Sequence, residues 1–181
     1  MRPAEHAWHI ELPPREDLAY AFFLSHVGED KGPVLELKAE IERLSVSGGG
    51  AALRCFIDVH DWKSWNDLTA VIRHTLPYSA HMLIWITPNY LKNKRGWVWV
   101  EFAYAELLER NLSLSQVDRY PFIVPIFRRV TVRSIERTPL LPYWERRIER
   151  PGESLPPPDL AAKLIDFHQR ERRKREGLGH S

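Results

Sequence analysis

The fold of this chain is decided by an apolar run at residues 20–25 (YAFFLS) and by three similar runs that follow it. These are residues 53–58 (LRCFID), 82–87 (MLIWIT) and 122–127 (FIVPIF). Short apolar runs that end in polar or turn-forming residues are typical of buried strands. We therefore predict four strands here, and a short fifth strand at residues 142–144.

Amphipathic segments separate the predicted strands. Residues 33–44 place Val34, Leu37 and Ile41 on one helical stripe, residues 97–110 form a further helix, and a last helix follows Asp159. Apolar strands that alternate with such helices indicate an α/β protein, in which helices cover both faces of a parallel sheet.

Ligands of such sheets bind beyond the carboxyl ends of the strands, where the strand order reverses. Three loops of this sequence follow predicted strands in that way, and we expect the function to reside in them. They are residues 25–32, 58–66 and 88–97.

The composition excludes several other classes of protein. A chain of 181 residues with 44% hydrophobic and 28% charged residues is ordinary for a globular domain. The single cysteine, Cys55, excludes an intramolecular disulfide, and it is expected to be an inert buried thiol. No apolar stretch approaches the ~20 residues that span a bilayer, and residues 1–14 do not resemble a signal peptide. We expect a cytoplasmic protein.

The organisation predicted from these patterns is a single domain. Residues 1–17 form a flexible lead-in, residues 18–168 the domain, and residues 169–181 a basic tail. Residues 168–175 (HQRERRKR) hold five basic residues, yet the net charge of the chain is only +2. A solvated helix end is expected there; weak contact with nucleic acid or an acidic partner is the alternative.

Five segments, in order, resemble motifs of Toll/interleukin-1 receptor (TIR) domains. They are residues 20–26 with the following 28–30 (YAFFLSH, GED), 56–59 (FIDV), 86–91 (ITPNYL), 97–101 (WVWVE) and 124–127 (VPIF). The last two resemble the W-[CV]-x-x-E helix motif and the fourth strand of the family. The resemblance covers residues 18–168 and implies a flavodoxin-like three-layer fold with a five-stranded parallel sheet in the order 2-1-3-4-5.

The resemblance also implies two possible functions. Many bacterial and plant TIR domains cleave NAD⁺ at the nicotinamide–ribose bond, with the glutamate that matches Glu101 as the catalytic carboxylate. Animal receptor and adaptor TIR domains are scaffolds that act by TIR–TIR contact. Stand-alone domains of this size are similar to components of Thoeris-type anti-phage systems, which implies antiviral signalling and a possible downstream nucleotide-sensing effector.

The placement of Glu101 supports the enzymatic alternative. On a helix of about 100° per residue, Glu106, Glu109 and Arg110 form the polar face and Glu101 points roughly 130° away from it. A carboxylate on an apolar side is costly without a partner or a task. The structural alternative is that Glu101 complements the helix N-terminus or pairs with Lys94 or Arg95.

Other residues of the three loops are candidate substrate contacts. Trp97 either lines a nicotinamide pocket or packs in the core, and Asp58 either faces the crevice or serves its turn. Trp62 and Trp65 lie in the polar segment 58–66, which corresponds to the BB loop of the family. We expect them to contact a ligand or a partner; the alternative is that they fold back onto the protein as a plug. The remaining candidates, for ribose or phosphate oxygens, are Ser25, His26 and Asp30.

The complete prediction is that NAD⁺ is the substrate, that no metal is required, and that the product is ADP-ribose or a cyclic variant. His60 and Asp61 have no metal-ligand partners at suitable spacing. The resemblance implies self-association through the BB loop, and no membrane partner is expected. Nucleic acid is not expected as a partner. The alternative function is a non-catalytic TIR adaptor or a scaffold that imitates host TIR domains.

Overall fold

The computed structural model describes most of the chain. The described residues are 12–14, 17–47, 51–57, 65–93, 96–115, 121–150 and 152–178, and within the helices side chains are described except at 65–69, 113–115 and 175–178. No helix in these ranges is long and apolar enough to cross a bilayer.

One parallel sheet of four strands forms the centre of the described fold. Its strands are β1 (Tyr20–Ser25), β2 (Cys55–Ile57), β3 (Ser79–Ile86) and β4 (Ile123–Phe127), in the order β2-β1-β3-β4. The α/β class, the parallel sheet and the order of the first four strands are confirmed. The order reverses between β1 and β3, so the carboxyl ends of these two strands border the expected ligand crevice.

Helices cover both faces of this sheet. They are α1 (Lys31–Ser47), α2 (Trp65–Thr75), α3 (Pro88–Lys92), α4 (Trp97–Ser115), α5 (Val132–Ile135) and α6 (Pro157–Leu178). Because side chains alternate along a strand, Phe22 and Leu24 of β1 pack with α1 and α6, whereas Phe23 packs with α2 and α4. The two apolar layers are therefore built from neighbouring residues of the same short strands.

The predicted fifth strand is wrong. Residues 142–144 lie in a 3-10 helix, Leu141–Arg146, with Pro142 in its first turn, where a missing N–H costs little. The ring of Tyr143 packs edge-on against Phe102, with centroids 5.4 Å apart, and that of Trp144 packs against Phe127 at 4.7 Å. A run of three apolar residues is too short to show a period, so its contacts with α4 and β4 decide its conformation.

Glu109 does not belong to the exposed polar face of α4 on which helical periodicity placed it. Glu109 is buried, with 6% of its surface exposed. One carboxylate oxygen accepts the backbone N–H groups of Phe122 and Ile123, at 2.9 and 2.8 Å. The other accepts the guanidinium of Arg146 at 2.5 Å. Glu109 therefore joins α4 to the beginning of β4 and to the 3-10 helix.

Candidate active site

The centre of the candidate site is a hydrogen bond between β1 and α4. Ser25, the last residue of β1, donates its hydroxyl to a carboxylate oxygen of Glu101, Oε2, at 2.5 Å. The two residues are 1% and 6% exposed. The inward orientation of Glu101 is confirmed, as is its position at the carboxyl edge of the sheet. Its catalytic role stays a prediction.

The apolar surroundings of Glu101 come from its own helix. Val98, Phe102, Ala105 and Leu108 are all buried in the core on this side of the sheet. Glu101 lies in the second turn of α4, close to the positive end of the helix dipole, which favours the ionised carboxylate. Burial in apolar surroundings opposes ionisation. The Ser25 hydroxyl therefore fixes one carboxylate oxygen within an otherwise apolar environment.

Tyr90 belongs to this site and was missed by sequence reasoning. It is fully buried, and its hydroxyl donates to the carbonyl of Val98 at 3.1 Å, in the first turn of α4. Burial raises the pKa of Tyr90 well above its ordinary value, and the nearby charge of Glu101 raises it further. Tyr90 is therefore a neutral wall of the site. The signal was available, because Tyr90 is the aromatic position of the motif at residues 86–91.

Asp30 connects the first loop to the loop after β3. Its carboxylate accepts the hydroxyl of Thr87 at 2.5 Å and the side-chain amide of Asn89 at 3.4 Å. Thr87 also accepts the backbone N–H of Tyr90 at 3.1 Å and so caps α3. Asp30 is 6% exposed. The structure thus gives Asp30 a positioning role, through Thr87 and Tyr90; direct contact with a ligand stays a prediction.

His26 follows Ser25 and is half-buried beside the same strand end. Its Nδ1 lies 2.8 Å from the carbonyl oxygen of Val27. Because a carbonyl only accepts, Nδ1 carries the proton, and Nε2 of the neutral ring is an acceptor. This Nε2 is buried and has no hydrogen-bond partner in the described part of the chain. His26 therefore has an unused hydrogen-bond acceptor at this strand end; its contact with ribose or phosphate oxygens stays a prediction.

Of the three candidate tryptophans, Trp97 is the one whose side chain lies in the described part of the chain. Trp97 begins α4, one turn before Glu101, and packs half-buried against the core. Trp65 begins α2, and its side chain is not described. Asp58 and Trp62 lie outside the described residues, as does most of the BB loop. The structure therefore joins Ser25 to Glu101, with His26 next to Ser25 in the chain and Trp97 one helical turn before Glu101. Asp30 is joined through Thr87 to Tyr90.

Comparisons with known proteins add nothing to these motifs. No protein-family model matches this chain, and no curated protein sequence matches it. Among the described residues, no group of three His, Cys, Asp or Glu side chains is placed to hold a metal ion. The likeness to TIR domains rests on the quoted motifs, and the assignment to that family stays a prediction.

Proposed function

We propose that this chain is a TIR-type NAD⁺ nucleosidase of flavodoxin-like fold, with Glu101 as its catalytic carboxylate. The reaction converts NAD⁺ and water into nicotinamide, ADP-ribose and a proton. If an adenine nitrogen takes the place of water, the product is a cyclic ADP-ribose. The observation that carries the proposal is the buried Ser25–Glu101 hydrogen bond at the carboxyl edge of the sheet.

The chemistry needs one carboxylate rather than two. Nicotinamide leaves a pyridinium as a neutral molecule, so no general acid has to protonate it, unlike in ordinary glycoside hydrolysis. The bonding electrons leave with nicotinamide, and positive charge develops at the ribosyl carbon and ring oxygen. A fixed negative charge nearby stabilises that transition state more than the ground state. Glu101 supplies this charge and accepts hydrogen bonds from ribose hydroxyls.

Ser25 and Tyr90 keep the carboxylate in place. The Ser25 hydroxyl fixes one oxygen of Glu101, and the ring of Tyr90 fills the space beside it without a charge of its own. A carboxylate held in advance needs no reorganisation when the ribosyl cation forms. His26 contributes a hydrogen-bond acceptor, Nε2, at the same strand end.

The test is release of nicotinamide from NAD⁺, followed by chromatography. Glu101→Gln keeps the shape and hydrogen-bonding capacity of the side chain but removes its charge. We expect this variant to lose roughly 10²–10³-fold in kcat, as when one preorganised electrostatic group is removed. The matched control is Glu106→Gln, on the same helix, whose carboxylate accepts the hydroxyl of Tyr143; it should cleave at the wild-type rate. Full activity in Glu101→Gln would refute the site.

The proposal includes assembly, with NAD⁺ cleavage feeding an immune signal in the cytoplasm of a bacterium. Self-association through residues 58–66 would be head-to-tail, a heterologous contact that forms open filaments or rings. Activity should therefore rise more than linearly with protein concentration and should increase when tagged protein is crowded on a bead surface. If wild-type protein crowded in this way still releases no nicotinamide, the alternative function as a non-catalytic TIR scaffold replaces the enzyme.

A further inference from the structure

A cavity of about 350 Å³ opens beyond the carboxyl end of β4. Its wall includes Phe127, Arg129, Trp144, Arg147, Arg150 and Ser154. This volume lies within the range of small-molecule sites, roughly 300–1,000 Å³. We refer to it as the β4 cavity. Because β3 separates β4 from β1, it lies ~10 Å along the sheet edge from the strand end that holds Ser25. Its lining contains none of the residues of the candidate active site.

A flat wall of two side chains lines the β4 cavity. The guanidinium of Arg147 lies over the ring of Trp144, 4.8 Å from its centroid, and donates to the Trp144 carbonyl at 2.6 Å. The ring of Phe127 supports Trp144 at a centroid distance of 4.7 Å. The guanidinium is thus held in its stacked position by both the indole and a backbone carbonyl. Planar guanidinium groups stack on flat rings, so this wall suits an aromatic or heterocyclic ligand.

Each of the two acidic residues of the cavity wall is bound to the protein through one of its carboxylate oxygens. The carboxylate of Glu149 pairs with the guanidinium of Arg128 at 3.0 Å and accepts the backbone N–H of Leu155 at 2.8 Å. That of Glu153 pairs with Lys163 at 3.1 Å and accepts the backbone N–H of Arg150 at 2.9 Å. The charge of Glu153 also interacts with that of Arg150, and Arg147 pairs with the exposed Glu145 at 3.6 Å. Among the described residues, Arg129 is therefore the wall arginine that interacts with no carboxylate.

The arginines leave positive charge at the cavity. Across the described ranges, no carboxylate pairs with the guanidinium of Arg129 or of Arg150, and both residues are exposed. Arg129 also has a φ of 56°, a left-handed backbone conformation that residues other than glycine rarely adopt. Such strained conformations cluster at ligand and active sites. The backbone therefore holds a free guanidinium at the cavity against its own preference.

We propose that the β4 cavity binds a small organic anion that carries a flat ring. The ring lies against Trp144 and Arg147, and the phosphate or carboxylate group is held by Arg129 and Arg150. Guanidinium groups bind both kinds of anion through paired hydrogen bonds. The site does not depend on NAD⁺ cleavage and does not involve Glu101.

The test is isothermal titration calorimetry of the full chain at low ionic strength with four probes. Phenyl phosphate and benzoate each combine a ring with an anion, whereas inorganic phosphate and benzyl alcohol each supply one half. We expect a ring-bearing anion to bind at least ~tenfold more tightly than either half. The tighter of phenyl phosphate and benzoate identifies the anion. Equal binding of inorganic phosphate, or no binding of the ring-bearing anions, overturns the proposal.

Variants then locate the binding. The double variant Arg129→Gln and Arg150→Gln alters exposed side chains only, so it should fold and should lose at least ~tenfold in affinity. Trp144→Leu should also weaken binding; its thermal unfolding is measured alongside. The matched control is Arg133→Gln, an exposed arginine of α5 outside the cavity, which should bind normally.

Two further outcomes would refute the assignment. Binding that persists unchanged in the double arginine variant places the probe elsewhere. Binding that is lost in Glu101→Gln places it in the candidate active site. Because the readout is heat of binding, absence of NAD⁺ cleavage leaves this test unaffected, and failure here leaves the enzymatic proposal standing.

Discussion

Two buried glutamates on α4, Glu101 and Glu109, have very different surroundings. Both are 6% exposed and they lie roughly 12 Å apart along one helix. Glu109 is held by two backbone N–H groups and by Arg146, at the amino end of β4. Glu101 is held by a serine hydroxyl at the carboxyl end of β1.

The difference between them separates a structural carboxylate from a candidate functional one. Glu109 satisfies backbone groups at the start of an edge strand, and its charge is balanced by a guanidinium. Glu101 lies at the edge of the sheet where ligands of this fold class bind. Its partner is a serine hydroxyl, and a sugar hydroxyl of a ligand can donate the same kind of hydrogen bond to the carboxylate. Burial of a carboxylate by itself therefore says little about function; its partners and its end of the sheet decide.

The largest expected effect on stability comes from removing the structural member of the pair. Glu109→Ala leaves two backbone N–H groups and the Arg146 guanidinium without their acceptor. Removal of one partner of a buried pair costs about 3–5 kcal/mol, and we expect about 2–3 kcal/mol because Arg146 is 26% exposed. Urea unfolding monitored by circular dichroism measures it.

Glu101→Gln is the comparison for that experiment. Its free energy of unfolding should stay within about 1 kcal/mol of wild type or rise, since charged groups at functional sites are often held at the expense of stability. If Glu101→Gln unfolds as easily as Glu109→Ala, both glutamates are structural and the contrast is lost.

A smaller effect is expected from the serine that holds Glu101. Ser25→Ala removes one hydrogen bond to a charged group, which we expect to lower stability by about 1–3 kcal/mol and NAD⁺ cleavage by about tenfold. Ser45 is a matched control, a buried serine of α1 whose hydroxyl donates to the carbonyl of Glu42 and accepts the N–H of Leu53. Ser45→Ala should lose stability without a change in kcat. Equal kcat values for the two variants would remove Ser25 from the site.

The smallest effect concerns two tyrosines: Tyr90 lies beside Glu101, and Tyr143 donates its hydroxyl to Glu106 and also interacts with the charge of Glu109. Burial raises the pKa of Tyr90 and of Tyr143 above the ordinary value of 10.0. Glu101 adds to the shift of Tyr90, and Glu106 and Glu109 add to that of Tyr143. The folded chain therefore keeps these two protons at a pH where the unfolded chain loses them. The contribution of the two tyrosines to the free energy of unfolding is fully present below about pH 10 and is lost as the pH rises above it.

Absorbance of tyrosinate in alkaline titrations tests this assignment. Glu101→Gln should lower the pKa of Tyr90 and leave that of Tyr143 unchanged, because only Tyr90 lies beside Glu101. Glu106→Gln should do the reverse. Assignment uses Tyr90→Phe and Tyr143→Phe, each of which removes one late-titrating group. A shift of Tyr143 in Glu101→Gln would show that the two ends of α4 are coupled rather than separate.

Much of the fold was predictable because its strands and helices correspond to apolar patterns that extend over several residues. The apolar runs at β1, β3 and β4 are each bounded by polar or turn residues, and α1 shows a clear helical stripe. The segment at residues 142–144 shows where this reasoning fails. Three apolar residues have no period, and the rings of Phe102 and Phe127, distant in sequence, hold them in a 3-10 helix.

The candidate site was predictable in part for the same reason. Helical periodicity places Glu101 on the apolar side of α4, and the strand pattern places Ser25 at a strand end. The same periodicity wrongly placed Glu109 on the polar face. Its carboxylate accepts backbone N–H groups at the start of β4, and no local pattern in the sequence of α4 indicates that contact. The Asp30–Thr87 bond was missed because it joins segments that are 57 residues apart. Tyr90, whose hydroxyl bonds to the next helix at Val98, was passed over although it stands in the motif at residues 86–91.

The order of apolar and polar residues along this chain determined which segments are strands, which are helices and which loops lie at the same edge of the sheet. These features depend on local backbone geometry and on which side chains are buried away from water. Only the folded molecule decided which buried charge is matched by backbone groups and which by a hydroxyl. Those partners lie 13 to 76 residues apart, and packing in three dimensions alone brings them within hydrogen-bonding distance.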